Sequence, residues 1–145
     1  PDVLHSRKFL DFGQGFYLTT LREQAVKYAQ RFIRRGKEAW LNVYELDEQL
    51  ITSSYSLKEF EKYDEEWLDF VVACRKGNVV GGYDIIQGGI ANDKVFRTVD
   101  LFFAGDITKE EALRRLLFEI PNNQLCVRSQ KLLDNCLVFK ESIRL

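Results

Sequence analysis

Apolar residues at positions 21, 25, 28, 29, 32 and 33 recur at steps of three and four, the spacing of one helical stripe. The pattern predicts a helix that starts at Leu21, turns that stripe to a core and leaves Arg22, Lys27, Arg31 and Arg34 in water. Thr20 and Glu23 have the spacing of a capping box, which would close its first turn. Ahead of it, Phe16-Tyr17-Leu18-Thr19 alternates like a short strand, and Gly13-Gln14-Gly15 is a turn leading into that strand. Residues 39–46 predict a strong strand, with Trp40, Asn42 and Tyr44 on one face, Leu41, Val43 and Glu45 on the other, and cover on much of both sides.

Residues 47–56 predict a short turn and an edge strand around Leu50-Ile51. Acids at 64–66, bases at 75–76 and Gly77 bound a second helix, whose stripe is Trp67, Phe70, Val71 and Cys74. A loop then leads to a strand over 83–89. A third helix is expected from Asn92 to near Gly105, and a fourth after the Thr108–Glu111 capping box. Gln124 to Arg128 alternates as a strand, followed by a short helix over 129–135 and a closing strand over 137–140. Strands and helices do not alternate strictly, so the predicted class is α+β, in one domain spanning residues 1–145.

Composition narrows the functions this frame can carry. The 145 residues have a formal net charge of −1, so no large basic face for a nucleic-acid duplex or an anionic membrane is expected. No apolar run approaches the roughly 20 residues that span a bilayer, and a cytoplasmic protein with no membrane partner is the expectation. Cys74, Cys126 and Cys136 are odd in number and far apart, which predicts reduced, buried thiols rather than a zinc site or a disulfide frame. His5 reads as a surface residue. The chain begins at Pro1 and has no methionine, so a segment before it is expected to be missing.

Chemistry concentrates in residues 11–29. Gly-x-Gly before a strand is not the Rossmann fingerprint, which speaks against a nicotinamide-dependent dehydrogenase. Taken alone, it is a tight turn feeding a core strand. Yet Gly-Gln-Gly-Phe-Tyr-Leu-Thr-Thr, followed by a helix carrying Ala25 and Tyr28, resembles the G-x-G-x-Y-F-A turn and helix of the ADP-ribosyltransferase superfamily, in its poly(ADP-ribose)-polymerase and diphtheria-toxin-like branch. The motifs D-F-G-x-G-F-Y-L-T, W-L-D-F-V with a later Arg, Y-D-I-I-x-G-x-I-A-N-D and N-Q-L-C, in that order, are similar to a small uncharacterised bacterial domain family of that superfamily.

The resemblance implies two roughly perpendicular antiparallel sheets around a cleft, flanked by several helices, with NAD as co-substrate and no metal. It implies mono-ADP-ribosyl transfer from NAD to a macromolecular acceptor, in a toxin restrained by an antitoxin protein. Tyr17 and Tyr28 would sandwich the nicotinamide, with Gly13, Gly15 and Phe16 lining it and Arg75 reaching a phosphate. The resemblance also implies an N-terminal strand carrying the family's histidine motif, which would lie in the missing segment. Gln124 stands where active polymerase-like members carry a glutamate that holds the ribose and stabilises the oxocarbenium-like state. A glutamine can orient the ribose but brings no negative charge. A module that binds NAD or ADP-ribose without turnover is therefore the alternative, and a protein-interaction domain using the many aromatics is a third. Without the resemblance, Gln124 reads as a polar strand end, Asp69 and Arg75 as solvated charges, and Asp84 and Asp93 as turn formers.

Overall fold

A computed structural model describes residues 1–89 and 93–145, and shows six helices and six strands in an α+β arrangement with two sheets. The expected helix start at Asn92, and the Ile90-Ala91-Asn92 part of the third motif, lie outside the described residues. Strand β1 (Phe16–Leu18) leads to helix α1 (Arg22–Ile33) and strand β2 (Trp40–Leu46). Helix α2 (Glu48–Ser54), strand β3 (Leu57–Glu59) and helix α3 (Glu65–Arg75) follow. Strand β4 (Ile85–Gly88) and helices α4 (Asp93–Phe103) and α5 (Lys109–Leu116) come next, then strand β5 (Gln124–Val127), helix α6 (Gln130–Cys136) and strand β6 (Leu137–Arg144).

The larger sheet has the order β1-β5-β4-β3, and β2 pairs with β6 in a separate antiparallel ribbon. The expectation of two purely antiparallel sheets needs correction, because β3 runs parallel to β4. Helix α3 lies in the connection that returns the chain to the starting end of β3, as a parallel pair requires. Two apolar clusters cover the sheet. Ile86 and Cys126 belong to the first, with Phe12, Phe60, Trp67, Val95, Val99 and Leu116. Ile85, Leu125 and Val127 belong to the second, with Ile51, Leu132 and Leu133. The neighbours in each strand point oppositely, as the pleat dictates.

Side-chain caps start four helices. Asp47 accepts from the amide of Leu50, Asp64 from that of Trp67, Thr108 from that of Glu111 and Ser129 from that of Leu132. The Thr20–Glu23 capping box does not form. Leu21 is the N-cap of α1 and supplies no side-chain bond, while the Thr19 hydroxyl accepts from its amide. Nor does the α1 stripe reach a core, since Ala29 is its one buried residue and Leu21, Tyr28, Phe32 and Ile33 are exposed. Residues 48–54 are helical rather than strand-forming, because Asp47 caps a turn that buries Ile51, and the edge strand falls at β3 instead. On β2, Leu41 is buried while Trp40 and Asn42 are exposed, so only one face of its first half is covered. All three cysteines are buried and free, and His5 is exposed.

Candidate functional site

The turn before β1 is built by local bonds and then clamped from two sides. The Gly13 amide donates to the Leu10 carbonyl at 2.9 Å, and Gly13 has φ +78°, a backbone state that glycine adopts without penalty. Gln14 donates to the carbonyls of Leu4 and Ser6, and the Gly15 amide donates to the Ser6 hydroxyl at 3.0 Å. Tyr17 folds back on the same turn. Its hydroxyl donates to the Gly13 carbonyl at 2.6 Å and accepts from the Phe12 amide at 3.2 Å.

Two arginines hold this turn from outside it. Arg75 gives Nε and Nη2 to one oxygen of Asp11 at 3.0 and 2.7 Å, and its guanidinium lies 4.8 Å from the Phe96 ring centre. Arg128 donates twice to the Phe12 carbonyl, at 3.2 and 3.0 Å, and once to the Val80 carbonyl at 2.8 Å. Its guanidinium also lies against the Cys74 sulfur at 3.6 Å and 5.5 Å from the Phe70 ring centre.

Pairing of β1 with β5 sets which side chains share a face. Tyr17 lies opposite Cys126, and Gln124 lies two residues from Cys126, so Tyr17, Cys126 and Gln124 point to one side of the sheet. In β4, Gly88 lies opposite Gln124, and a Cβ there would stand 3.0 Å from the Phe12 ring and 3.1 Å from Phe60, so the core rings fill that space. Phe16 points to the other side, where its ring meets Tyr44 edge-on at 5.8 Å. Gly15 is pressed against β5. A Cβ there would stand 2.6 Å from the Cys126 sulfur and 2.7 Å from the Val127 carbonyl oxygen.

Gln124 has neighbours that the sequence did not single out. Gln24 of α1 reaches across to donate to the Asn123 carbonyl at 2.8 Å. The remaining oxygen of Gln24 and the side-chain oxygen of Asn123 are both buried without a hydrogen-bond partner. Each such oxygen costs about 1–3 kcal/mol unless a donor reaches it. Gln24 could have been found as a polar residue one turn before Tyr28. Arg128 could have been found as a cation just past β5, continuing the alternation of Gln124 and Cys126.

The structure brings Gln24, Asn123 and Gln124 together and joins Arg75 to Asp11 rather than leaving it free. No ring contact links Tyr17 to Tyr28. Tyr17 packs on the first core cluster, whereas Tyr28 is 60% exposed, with the Phe32 ring 5.9 Å away and the Arg31 guanidinium 5.5 Å from its own ring centre. Asp69 pairs with Lys109, and Asp84 accepts from the Ser56 amide and hydroxyl. Two shallow hollows border α2, and neither is lined by the glycine turn, β1 or α1. Among the described residues, no group of three or more His, Cys, Asp or Glu could hold a metal ion, and no helix is long and apolar enough to cross a membrane.

Burial raises the Tyr17 hydroxyl above its ordinary range and pushes the Cys126 thiol up to about 11 from 9.0. Both groups hold their protons more tightly folded than unfolded. Their contribution is therefore complete below the unfolded values and is lost as pH rises through the folded ones. For Cys126 the shift amounts to about 2–3 kcal/mol. Urea midpoints measured with a reducing agent are expected to stay level to about pH 8.5 and to fall between about 9 and 11. Cys126→Ala should flatten part of that fall, and an unchanged profile would refute the assignment.

The profile of one family, described as a protein of unknown function (DUF3990), matches residues 1–139. No curated protein and no solved structure matches the chain.

Proposed function

We propose that this chain, which belongs to the DUF3990 family, is an NAD-dependent mono-ADP-ribosyltransferase that binds NAD where α1 meets the turn before β5. The observation that carries the reading is the pair of buried, partnerless amide oxygens of Gln24 and Asn123 beside Gln124, one helical turn from the exposed ring of Tyr28. Acceptors without donors suit the hydroxyls of a ribose, and an exposed ring suits a flat cation such as nicotinamide in NAD. Gln124 would orient the ribose and Tyr28 would stack on the nicotinamide. Tyr17, its hydroxyl tied to Gly13, would hold the turn and form the inner wall.

In the transfer, the bond from ribose C1′ to the nicotinamide nitrogen breaks and nicotinamide leaves with the electron pair. An acceptor nucleophile bonds to C1′ and gives up its proton. Mono-transfer suits a site whose Gln24, Asn123 and Gln124 carry no charge. The proposal extends to a toxin restrained by an antitoxin protein. One feature favours the second reading, a module that binds NAD without turnover. No carboxylate stands in that amide group to stabilise positive charge on the ribose.

Millimolar NAD is expected to raise the melting temperature of the protein, and Tyr28→Ala to abolish the rise. Chromatographic detection of nicotinamide should find slow release, increased about tenfold or more by Gln124→Glu, which restores a negative charge at the ribose. A melting rise with no release from either protein would leave the binding module. No rise and no release would remove both readings.

A further inference from the structure

The exposed face of α1 carries cations and a second ring, Phe32, that the NAD reading leaves unused, beside the Tyr28 ring that it employs. Residues 22–37 hold six cations, Arg22, Lys27, Arg31, Arg34, Arg35 and Lys37, and one carboxylate, Glu23, in a chain whose net charge is −1. Among the described residues none of these six takes part in an ion pair. Of the other fifteen lysines and arginines, eight do. On the same helix Tyr28 and Phe32 are exposed and meet edge to face.

Helical spacing places Gln24, Tyr28, Arg31 and Phe32 on one side, and the following turn brings Arg34 and Arg35 to its end. The guanidinium of Arg31 lies 5.5 Å from the Tyr28 ring centre, so cation and ring occupy the same face rather than opposite ones. We propose that this face binds single-stranded nucleic acid, the Phe32 ring stacking on an unpaired base and the arginines pairing with the phosphates on either side.

Three features favour that occupant. Six unpaired cations within sixteen residues call for an anionic partner. A helix lying on a membrane separates its charges from its apolar side, whereas here Arg31 stands among the rings. An acidic peptide would satisfy the cations but leave the flat ring faces without matching planes, which every base supplies. A duplex hides its base faces. Gln24, at the near end of the same face, bonds to the residue before Gln124. On the function proposed above, a bound strand would therefore run toward the transfer site as its acceptor, although the binding itself does not depend on that reading.

Fluorescence anisotropy with a labelled single-stranded DNA of about 12 nucleotides, at several salt concentrations, tests the face. The protein should bind the strand and prefer it to a duplex of the same sequence. Arg31→Ala with Arg35→Ala should weaken binding about tenfold or more and reduce the salt slope by about 1–2, as expected for two lost phosphate contacts. Phe32→Ala should weaken it about fivefold or more with the slope unchanged. All three side chains are exposed, and circular dichroism will show that the variants stay folded. Equal binding of the duplex, variants that bind like the parent, equal competition by polyglutamate, or capture by anionic vesicles in place of the strand would each overturn the proposal. The NAD-induced melting shift of Arg34→Ala with Arg35→Ala, which should also weaken strand binding, keeps the two readings apart, since the structure places Arg31 and Phe32, not these two, against the Tyr28 ring and the shift should be unaffected.

Discussion

Arg128→Ala is expected to lower the unfolding free energy by about 3–5 kcal/mol, measured by urea denaturation at neutral pH. The side chain joins two segments far apart in the sequence, the turn at Phe12 and the loop at Val80, through three charge-assisted bonds. Hydrogen bonds from a charged donor are worth more than neutral ones, and deletion would also leave both carbonyls short of a donor. The loss extends past those bonds. The guanidinium lies between Phe70 and the Cys74 sulfur, so alanine would also open a space in the first core cluster. Arg128→Lys should recover less than half of the loss, because one ammonium lacks the planar fork that serves both carbonyls. A loss below about 1 kcal/mol for alanine would mean that the turn holds itself and the clamp is incidental.

The same residue illustrates what the sequence could and could not tell. The starts of α3, from its acids at 64–66, and of α5, from its Thr108 cap, were legible because these signals and the apolar stripe are all local, and these helices stand where their signals place them. So was the strand at Gln124, whose alternation survives in the two clusters that Cys126 and Leu125 enter. The helix at α1 was legible as a helix, but not as one with its stripe in water. Periodicity reports that a face is apolar and is silent about whether anything packs on it. The α2 segment misled because Leu50 and Ile51 favour a strand locally, whereas Asp47 caps a helix that buries Ile51.

The candidate site divides along the same line. Gly13, Gly15, Tyr17, Tyr28, Arg75 and Gln124 were found as residue types in a pattern, but their partners lie at long range. Arg75 is 64 positions from Asp11 and Gln24 is 99 from Asn123. No local rule connects such positions. The consequence for Arg75 is concrete, since a phosphate would have to compete with a carboxylate already bonded to two of its donors.

Gly15→Ala is expected to cost about 3 kcal/mol or more, and Gly13→Ala less, about 1–2 kcal/mol, although Gly13 is the residue with positive φ. At Gly13 the penalty is conformational alone. A Cβ there would find Arg128 Nη2 at 3.6 Å and the Cys74 sulfur at 4.0 Å, both ordinary contacts. At Gly15 the backbone needs no special conformation, but the new carbon would stand 2.7 Å from the Val127 carbonyl oxygen, a backbone atom that cannot rotate away. Relief requires β1 to lift from β5, which disturbs the pairing of Phe16 with Val127 and of Tyr17 with Cys126. Cys126→Ala would remove the other close atom, the sulfur at 2.6 Å, yet leave the carbonyl in place, so the double variant should recover only part of the loss. Chemical denaturation of the three proteins decides the matter. If Gly13→Ala proves the more damaging, or if Cys126→Ala restores Gly15→Ala fully, close approach of the two strands is not what requires glycine at position 15.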